Sequence, residues 1–331
     1  MSREEDLYLG IDGGGSKTAF CLAEASGRVL VESSCGSIHL KQISAQEFRA
    51  RVRTELHRLG LEFSRGRRLK RVFAGIPGYD EYPDLRAEAD VLMAELFSCP
   101  KSCANDCVAG WAGGTACQPG INMVLGTGAI AYGRNAQGKD LRSSGWGPFV
   151  GDEGSAYDLG RKLLSIFGKE ADGRLPRNAV YRLVREHFKL NTDFDIFIYL
   201  EKGAYERAFV AKLSMLLAEA AKAADPAAIQ AFQKAGEEAA LAILACARKL
   251  FTPDESVLVS TSGGVFKAGD LILNPLNAAL KQSGWPFSLR PPRLEPLRGA
   301  VLMAMCEDGL EPDERRVALL ARGAQIDLQS V

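Results

Sequence analysis

The chain has 331 residues, of which 47% are hydrophobic and 25% are charged, values typical of a globular protein long enough for two domains. Lysine and arginine number 41, as do aspartate and glutamate, so no net basic charge attracts nucleic acid or an anionic membrane. The start MSREEDLYLG lacks an apolar signal region, and no apolar stretch reaches the roughly 20 residues of a membrane span. We therefore expect a cytoplasmic protein with small-molecule partners, and neither nucleic acid nor a membrane among them.

The first third of the chain predicts three strands followed by a helix, a strand and a second helix. The apolar runs LYLGI, TAFCLAEA and RVLVES are separated by short turns and indicate a three-stranded meander. Ser44 and Glu47 have the spacing of a capping box, and the apolar stripe that follows ends at Gly60, which predicts a helix. LKRVFAGIPG then reads as a strand and DLRAEADVLMAELF as the second helix.

The same pattern of strands and turns starts again near residue 121. INMVLGTGAIAYGRNAQGKDL repeats the strands and turns of LYLGIDGGGSKTAFCLAEASGRVL, which indicates two similar halves. Alanine-rich helices follow between about residues 205 and 250, divided at Asp225-Pro226, where a helix stop precedes a favourable first helical position. A later strand, SVLVSTSGGVF, also ends in a glycine turn.

The string GIDGGGSKT at residues 10–18 looks like a P-loop but does not have its spacing. Ser16 separates Gly15 from Lys17, whereas a P-loop has glycine directly before lysine. The residues after it alternate as in a strand, so neither a P-loop nor a dinucleotide-binding turn is predicted. A glycine turn between two strands would instead present backbone N–H groups to anionic oxygens.

Polar side chains surround this first glycine turn. Asp12 stands at the end of the strand, where its carboxylate would hold a hydrated Mg²⁺. The side chains of Ser16, Lys17 and Thr18 add hydrogen-bond donors. A single glycine cluster is more often a tight bend than a ligand site. The recurrence of such a turn in GTG at 126–128 favours a clamp on a polyphosphate.

Three of the eight cysteines recur at every fourth position. Cys99, Cys103 and Cys107 would share a helix face if the stretch were helical, but Pro100 argues against a continuous helix. Buried thiols are the favoured interpretation, because a free cysteine behaves as a small hydrophobic residue. An iron–sulfur or zinc site is the alternative.

The order of the motifs resembles a known family. GIDGGGSKT, ANDCVAGWAGG, VLGTGAIAYG, GWGPFVGDEGSAYDLG, STSGGVF and RGAVLMA together are similar to the N-acetylglucosamine kinase branch of the actin, hexokinase and Hsp70 superfamily, grouped with the BadF/BadG/BcrA/BcrD ATPases. The similarity runs from about residue 7 to 304. It implies an α/β protein of two ribonuclease-H-like, actin-like ATPase domains with a nucleotide cleft between them.

The domain boundary that we expect lies near residue 115. Residues 1–115 would form the N-terminal actin-like domain, with the first phosphate loop and a sugar loop. Residues 116–331 would form the C-terminal domain, with a helical insertion at about 160–250, and the last helix would pack back on the N-terminal domain.

The resemblance also implies roles for particular residues. The ATP-binding and phosphate-binding set is Gly13, Gly14, Gly15, Ser16, Lys17, Thr18, Gly126, Thr127, Gly128, Ser262, Gly263 and Gly264, of which the last three approach the nucleoside. Asp106 matches the catalytic carboxylate of the family. The sugar-binding set is Asn105, Asp106, Gly145, Trp146, Gly147 and Asp152.

Ordinary structural roles compete with two of these assignments. Asp106 precedes CVAGWAG, so it also fits the N-cap of a helix. Asp152 and Glu153 also fit a solvated acidic turn, although the flanking glycines and Trp146 favour a sugar pocket.

The chain departs from the family at the sugar loop. Family members that phosphorylate N-acetylglucosamine or glucosamine commonly carry an asparagine after the third strand, where this chain has CGSIHLKQIS. His39 either replaces that asparagine as a hydrogen-bond donor to the sugar or is only a loop residue in a shifted register.

The resemblance implies an ATP-dependent carbohydrate kinase. It would use ATP and Mg²⁺ to phosphorylate a hydroxyl, the 6-hydroxyl, of an amino sugar such as N-acetylglucosamine or glucosamine, and we expect a homodimer. The alternative is an ATPase that activates a partner redox enzyme, a dehydratase or reductase. A catalytically idle sugar-binding regulator is disfavoured because Asp12, Asp106 and Asp152 are all present.

Overall fold

The structure is a computed structural model that describes residues 6–60, 67–203 and 206–323. The chain divides into two compact units. Unit 1 contains the segment up to Gln118 and the segment from Pro291, and unit 2 contains Pro119–Arg290. Each unit has a five-stranded mixed sheet.

Ten strands form the two sheets of the described residues. They are β1 (Asp6–Gly13), β2 (Lys17–Glu24), β3 (Val29–Gly36), β4 (Arg68–Gly75), β5 (Lys101–Ala104), β6 (Gly120–Leu125), β7 (Ala129–Arg134), β8 (Asp140–Ser144), β9 (Val257–Ser262) and β10 (Phe287–Arg290).

Twelve α-helices are present in the same parts of the chain. They are α1 (Ala45–Arg58), α2 (Pro83–Leu96), α3 (Asp106–Thr115), α4 (Ala156–Ala171), α5 (Ala179–Phe188), α6 (Ile196–Gly203), α7 (Arg207–Lys212), α8 (Ser214–Lys222), α9 (Pro226–Leu250), α10 (Asp270–Gln282), α11 (Pro296–Glu307) and α12 (Glu314–Arg322). None of these described helices is long and apolar enough to cross a membrane.

The sheet of unit 1 has the order β3-β2-β1-β4-β5. Strands β1, β2 and β3 are antiparallel neighbours, which confirms the predicted meander, and β4 and β5 run parallel to β1. Helix α1 begins where predicted, because the Ser44 side chain accepts a hydrogen bond from the N–H of Glu47. Gly60 follows the helix with φ +68°, a conformation that suits a glycine stop.

Helix α11 belongs to unit 1, and this corrects the boundary expected from the sequence, which assigned residues 116–331 to one domain. Its buried face packs on β1, β4 and α3. The approach is close, since a Cβ on Gly10 of β1 would lie 2.5 Å from the backbone nitrogen of Val301. Tyr8 donates a hydrogen bond of 2.8 Å to Asp308, just beyond the end of α11.

The sheet of unit 2 has the order β10-β9-β6-β7-β8 and repeats the arrangement of unit 1. Strands β6, β7 and β8 form the antiparallel meander, while β9 runs parallel to β6. Helices α4 to α9 stand between β8 and β9 in the chain. Asp225 caps α9 through the N–H groups of Ala227 and Ala228, and Pro226 is its first residue, as predicted.

Candidate active site

The first glycine turn is a β-hairpin loop between β1 and β2. The N–H of Gly14 donates to the carbonyl of Lys17 at 2.8 Å, and the Ser37 hydroxyl donates to the carbonyl of Gly14 at 2.8 Å. The N–H groups of Gly15 and Ser16 have no partner among the described residues. A Cβ on Gly15 would meet nothing within 4 Å, so the outer side of the turn is open. The loop therefore presents two unpaired N–H donors, as an anion site requires.

The end of β1 and the beginning of α3 both lie next to Gly75, the last residue of β4. Asp12 pairs in register with Gly75 at the end of β4. A Cβ on Gly75 would lie 3.2 Å from the Cα of Asp106, the first residue of α3. Glycine at the end of β4 thus admits α3 and brings Asp106 into the same corner of the sheet as Asp12.

Asn105, and not Asp106, is the N-cap of α3. Its side-chain oxygen accepts a hydrogen bond of 3.2 Å from the N–H of Cys107, and the residue is buried. The capping interpretation of Asp106 is therefore wrong, because the neighbouring asparagine already fills that position. The carboxylate of Asp106 stands at the first helical position, beside the backbone N–H groups of Asp106 and Cys107.

Both carboxyl groups in this corner have raised pKa values. Burial raises the pKa of Asp106 to about 7, and the charges of Asp12 and Glu81 add to the effect, although backbone N–H groups of Cys107 and Asp106 oppose it. Burial and the charge of Glu295 raise the pKa of Asp12 to about 6. A carboxyl group that titrates near neutral pH suits general acid–base catalysis.

The donor set around Asp12 fits a hydrated Mg²⁺. Its carboxylate accepts no hydrogen bond from the described residues, so its oxygens are available to a ligand. Magnesium prefers oxygen ligands and keeps several waters when one or two carboxylates and phosphates hold it.

His39 is held as a neutral hydrogen-bond donor. Its Nδ1 accepts a hydrogen bond of 3.2 Å from the N–H of Lys41, and burial lowers the pKa of the imidazole. The ring proton is therefore assigned to Nε2. The imidazole lies against Gly78, where a Cβ would be 3.2 Å from its Cε1 atom. His39 can thus donate a hydrogen bond from the loop after β3, as an asparagine amide would.

The second glycine turn joins β6 and β7 in unit 2. The N–H of Gly126 donates to the carbonyl of Gly128 at 2.9 Å, and the carbonyl of Gly126 accepts a bond of 2.8 Å from the N–H of Ala156 in α4. The N–H groups of Thr127 and Gly128 have no partner among the described residues. Like the first turn, this loop offers two N–H donors to an anion.

The third glycine segment lies directly against the second turn. Val124 of β6 pairs in register with Ser262 of β9, so the two strands end at the same edge. Gly263 has φ +103°, and a Cβ there would lie 2.8 Å from the nitrogen of Gly126. Only glycine fits this approach, which brings residues 262–264 to the loop at 126–128.

A cavity of about 240 Å³ adjoins Gly264. Its lining is mainly apolar, and part of it comes from the helical insertion. The lining residues are Leu159, Ser214, Met215, Ala218, Glu219, Lys222, Phe232, Gly264, Val265, Lys267 and Ala268. An apolar cleft with a few polar groups is the usual form of a site for a nucleobase-sized ligand. Gly264 is the one lining residue that the sequence analysis identified, and the alanine-rich helical sequence carried no signal for those that it contributes.

Asp152 of the GDEGS segment is buried under the second turn. Only 2% of the residue is exposed, and its Oδ1 accepts a hydrogen bond of 3.3 Å from the N–H of Ala129. Its Oδ2 forms an ion pair with Arg207, a residue that the sequence analysis did not identify. The solvated-turn interpretation is wrong for Asp152, whereas Glu153 is exposed.

The segment before Asp152 is an exposed loop. Gly145 and Gly147 have φ +74° and +83°, and Trp146 between them is 70% exposed. Phe149 and Val150 are exposed as well. A loop with bare aromatic side chains is typical of a surface that covers a ligand.

Comparison with known proteins places these features in a family. The profile of the BadF/BadG/BcrA/BcrD ATPase family matches residues 9–304. The chain belongs to this family. An N-acetylmuramic acid/N-acetylglucosamine kinase of Clostridium acetobutylicum is 28% identical over 302 residues, which cover 90% of this chain and 98% of the relative. An N-acetyl-D-glucosamine kinase of Dictyostelium discoideum is 27% identical over 322 residues, 92% of this chain and 99% of the relative.

A solved structure extends the comparison to the fold. A candidate N-acetylglucosamine kinase of Chromobacterium violaceum is 25% identical and superposes with a TM-score of 0.70, over 90% of this chain and 98% of that one. This BadF/BadG/BcrA/BcrD family member therefore has the α/β fold of actin-like ATPase domains, with one five-stranded mixed sheet in each unit.

The three evenly spaced cysteines of this family member do not share a helix. Cys103 lies in β5, Cys107 lies in α3, and Cys99 precedes β5. Burial raises the pKa of the Cys103 thiol to about 12 and also raises that of Cys99, so both stay protonated at neutral pH. Within the described ranges, no group of three or more His, Cys, Asp or Glu side chains is arranged to hold a metal ion.

Proposed function

We propose that this protein is an ATP-dependent sugar kinase that transfers the γ-phosphate of ATP to the 6-hydroxyl of an amino sugar, such as N-acetylglucosamine or glucosamine. Membership of an ATPase family supports the nucleotide, and the names of the two curated relatives support an amino-sugar acceptor. The observation that carries the proposal is the carboxyl of Asp106, held beside Asp12 with a pKa of about 7.

Asp106 acts as the general base of the transfer. A sugar hydroxyl is a poor nucleophile, and a carboxylate that accepts its proton also fixes the direction of attack on the γ-phosphate. Phosphoryl transfer depends mainly on such positioning and on charge stabilisation. Because the pKa is near 7, a substantial fraction of Asp106 is ionised at neutral pH and ready to accept the proton.

Backbone N–H groups bind the phosphates. Gly15 and Ser16 supply them in unit 1, and Thr127 and Gly128 supply them in unit 2, with no competing partner among the described residues. Donors fixed before the reaction stabilise charge on phosphoryl oxygens without reorganisation. When bound, Mg²⁺ held through water by Asp12 neutralises part of the phosphate charge.

Two further regions bind the rest of the substrates. The cavity lined in part by Gly264 takes the nucleoside, and Ser262 and Gly263, which directly precede Gly264 in the chain, approach it. The Nε2–H of His39 and the loop of Gly145, Trp146 and Gly147 contact the sugar. Asp152 lies behind the second glycine turn, where its buried carboxylate accepts a hydrogen bond from the N–H of Ala129.

We further propose that the protein is a homodimer. Unit 2 has a cluster of exposed apolar side chains that association would bury, namely Phe194 (79% exposed), Phe197 (56%) and Ile198 (55%). Light scattering coupled to gel filtration measures the mass, and a monomer at micromolar concentration would contradict this assignment.

A coupled ADP-release assay tests the proposed function. The acceptors are N-acetylglucosamine, N-acetylmuramic acid, glucosamine and glucose, and phosphorus NMR of the product identifies the phosphorylated carbon. We expect ADP release that requires an amino sugar and gives a 6-phosphate. ATP hydrolysis that is indifferent to every sugar would refute the kinase assignment.

A further inference from the structure

The ion pair between Arg207 and Asp152 places a guanidinium at the second glycine turn. Asp152 is nearly fully buried, whereas 42% of the Arg207 side chain is exposed. Burial of a carboxylate destabilises the folded state unless hydrogen-bond donors interact with it. Here the donors are the N–H of Ala129 and the guanidinium of Arg207. Asp152 has φ +62°, an uncommon backbone conformation for a residue with a side chain.

The guanidinium touches the backbone of the turn itself. A Cβ on Gly128 would lie 2.5 Å from Nη2 of Arg207 and 3.1 Å from Oδ2 of Asp152. Glycine at this position therefore makes room for the ion pair. Arg207 is in this way fixed next to the unpaired N–H groups of Thr127 and Gly128.

Most of the donors of Arg207 remain available. Among the described residues, the one hydrogen-bonding partner of its guanidinium is Asp152, which Nη2 contacts, so Nε and Nη1 have no partner there. A guanidinium has five N–H donors in a rigid fork and readily binds a second pair of anionic oxygens. Charge-assisted hydrogen bonds of this kind are about twice as strong as neutral ones.

We propose that Arg207 is an anion-binding residue of the second glycine turn and that Asp152 is the residue that positions it. The anion is either a phosphate of the nucleotide or a carboxylate carried by the acceptor, such as the lactyl group of N-acetylmuramic acid. This inference rests on the proposed sugar kinase function. It assigns to Asp152 the role of holding the guanidinium of Arg207, in addition to accepting the hydrogen bond from Ala129.

Binding of separate probes identifies the source of the anion. Calorimetry measures AMP-PNP and adenosine, and steady-state kinetics compares N-acetylmuramic acid with N-acetylglucosamine. If Arg207 binds phosphate, Arg207→Met weakens AMP-PNP about 10- to 100-fold and leaves adenosine unchanged. If it binds the acceptor carboxylate, the variant lowers kcat/KM for N-acetylmuramic acid by that factor and spares N-acetylglucosamine and AMP-PNP. Either pattern supports the proposal.

Three variants separate this role from a structural one. Asp152→Asn/Arg207→Met removes both charges, so no unpaired buried carboxylate destabilises the fold. It should bind AMP-PNP as Arg207→Met does, and it is compared by this measurement alone because Asp152 belongs to the implied sugar-binding set. Arg207→Lys keeps the positive charge but lacks the planar set of guanidinium N–H donors, so it should retain part of the anion binding that Arg207→Met loses. Arg182→Met is the matched control, because Arg182 is an exposed arginine whose side chain pairs, within the described part of the chain, only with Glu186 on α5.

The outcomes also distinguish the inference from the proposed function. If folded Arg207→Met binds AMP-PNP and uses both sugars as the wild type does, and the double variant binds AMP-PNP equally well, Arg207 is only a counter-ion and the inference is wrong. If the wild type phosphorylates no sugar yet its AMP-PNP binding depends on Arg207, the kinase proposal fails and the inference stands.

Discussion

Replacement of Asp106 by asparagine should make the protein both less active and more stable. Asn105 already caps α3, so Asp106→Asn removes a charge and a base without disturbing the helix. Loss of a positioned general base should lower turnover about 100-fold or more. Sugar binding should persist, a few-fold weaker for the loss of a charge-assisted hydrogen bond.

The gain in stability follows from the raised pKa of Asp106. A carboxyl whose pKa rises on folding stabilises the folded state below its unfolded pKa of 3.8, and this contribution is lost as pH rises through about 7. The pKa shift of about three units corresponds to a change of at most about 4 kcal/mol in the free energy of unfolding. Because Asp106 is partly exposed and solvent screens its charge, we expect about 1–3 kcal/mol. Asparagine resembles the protonated acid, so the variant should gain this amount at pH 8 and nothing at pH 3.

Urea unfolding at several pH values and the ADP-release assay measure the two effects. Wild-type turnover should also fall as pH decreases below about 7, because the base becomes protonated. Asp84→Asn is the control, since Asp84 is an exposed carboxylate in the first turn of α2. A stable Asp106→Asn that binds sugar and turns over at the wild-type rate would refute the catalytic role. Equal stabilities of variant and wild type at pH 8 would refute the raised pKa.

Three other substitutions test separate parts of the structure. His39→Ala should raise the KM for sugar about 10-fold with the KM for ATP unchanged, His39→Asn should do so less, and unchanged sugar kinetics in both would place His39 outside the sugar site. Gly128→Ala should leave the protein folded, because the flexible Arg207 side chain can move away, but should weaken AMP-PNP binding measured by calorimetry. Gly299→Val should lower the free energy of unfolding by about 1–3 kcal/mol in urea unfolding, because α3 contacts α11 at this glycine. Gly168→Ala should raise it by about 0.5–1 kcal/mol, because a Cβ there would meet nothing within 4 Å and alanine favours the helix.

The features that the sequence predicted well are local in the chain. Both meanders follow from alternating apolar runs and glycine turns, and the starts of α1 and α9 follow from the caps Ser44 and Asp225. In each case the residues that determine the structure lie within a few positions of one another. The adjacency of Gly126 and Gly263 within unit 2 is not local in this sense, because it depends on the parallel pairing of β6 with β9.

The features that sequence reasoning missed depend on contacts between distant residues. Arg207 meets Asp152 across 55 positions, and neither residue belongs to a periodic pattern that would reveal the other. RGAVLMA reads as an apolar helix, but its composition does not say which sheet α11 covers. The sequence could not show which of the adjacent residues Asn105 and Asp106 caps α3, because asparagine and aspartate are equally good N-caps.

The placement of α11 has a consequence for how the chain folds as it leaves the ribosome. Tyr8 and its partner Asp308 are separated by 300 positions, which take about 15–60 s to synthesise at 5–20 residues per second. Unit 2 is continuous from Pro119 to Arg290, so all of it emerges before the helix that covers β1. The face of the unit 1 sheet that α11 covers therefore stays exposed during that time. A chain truncated near residue 290 would lack α11 and would leave this face exposed to chaperones and proteases.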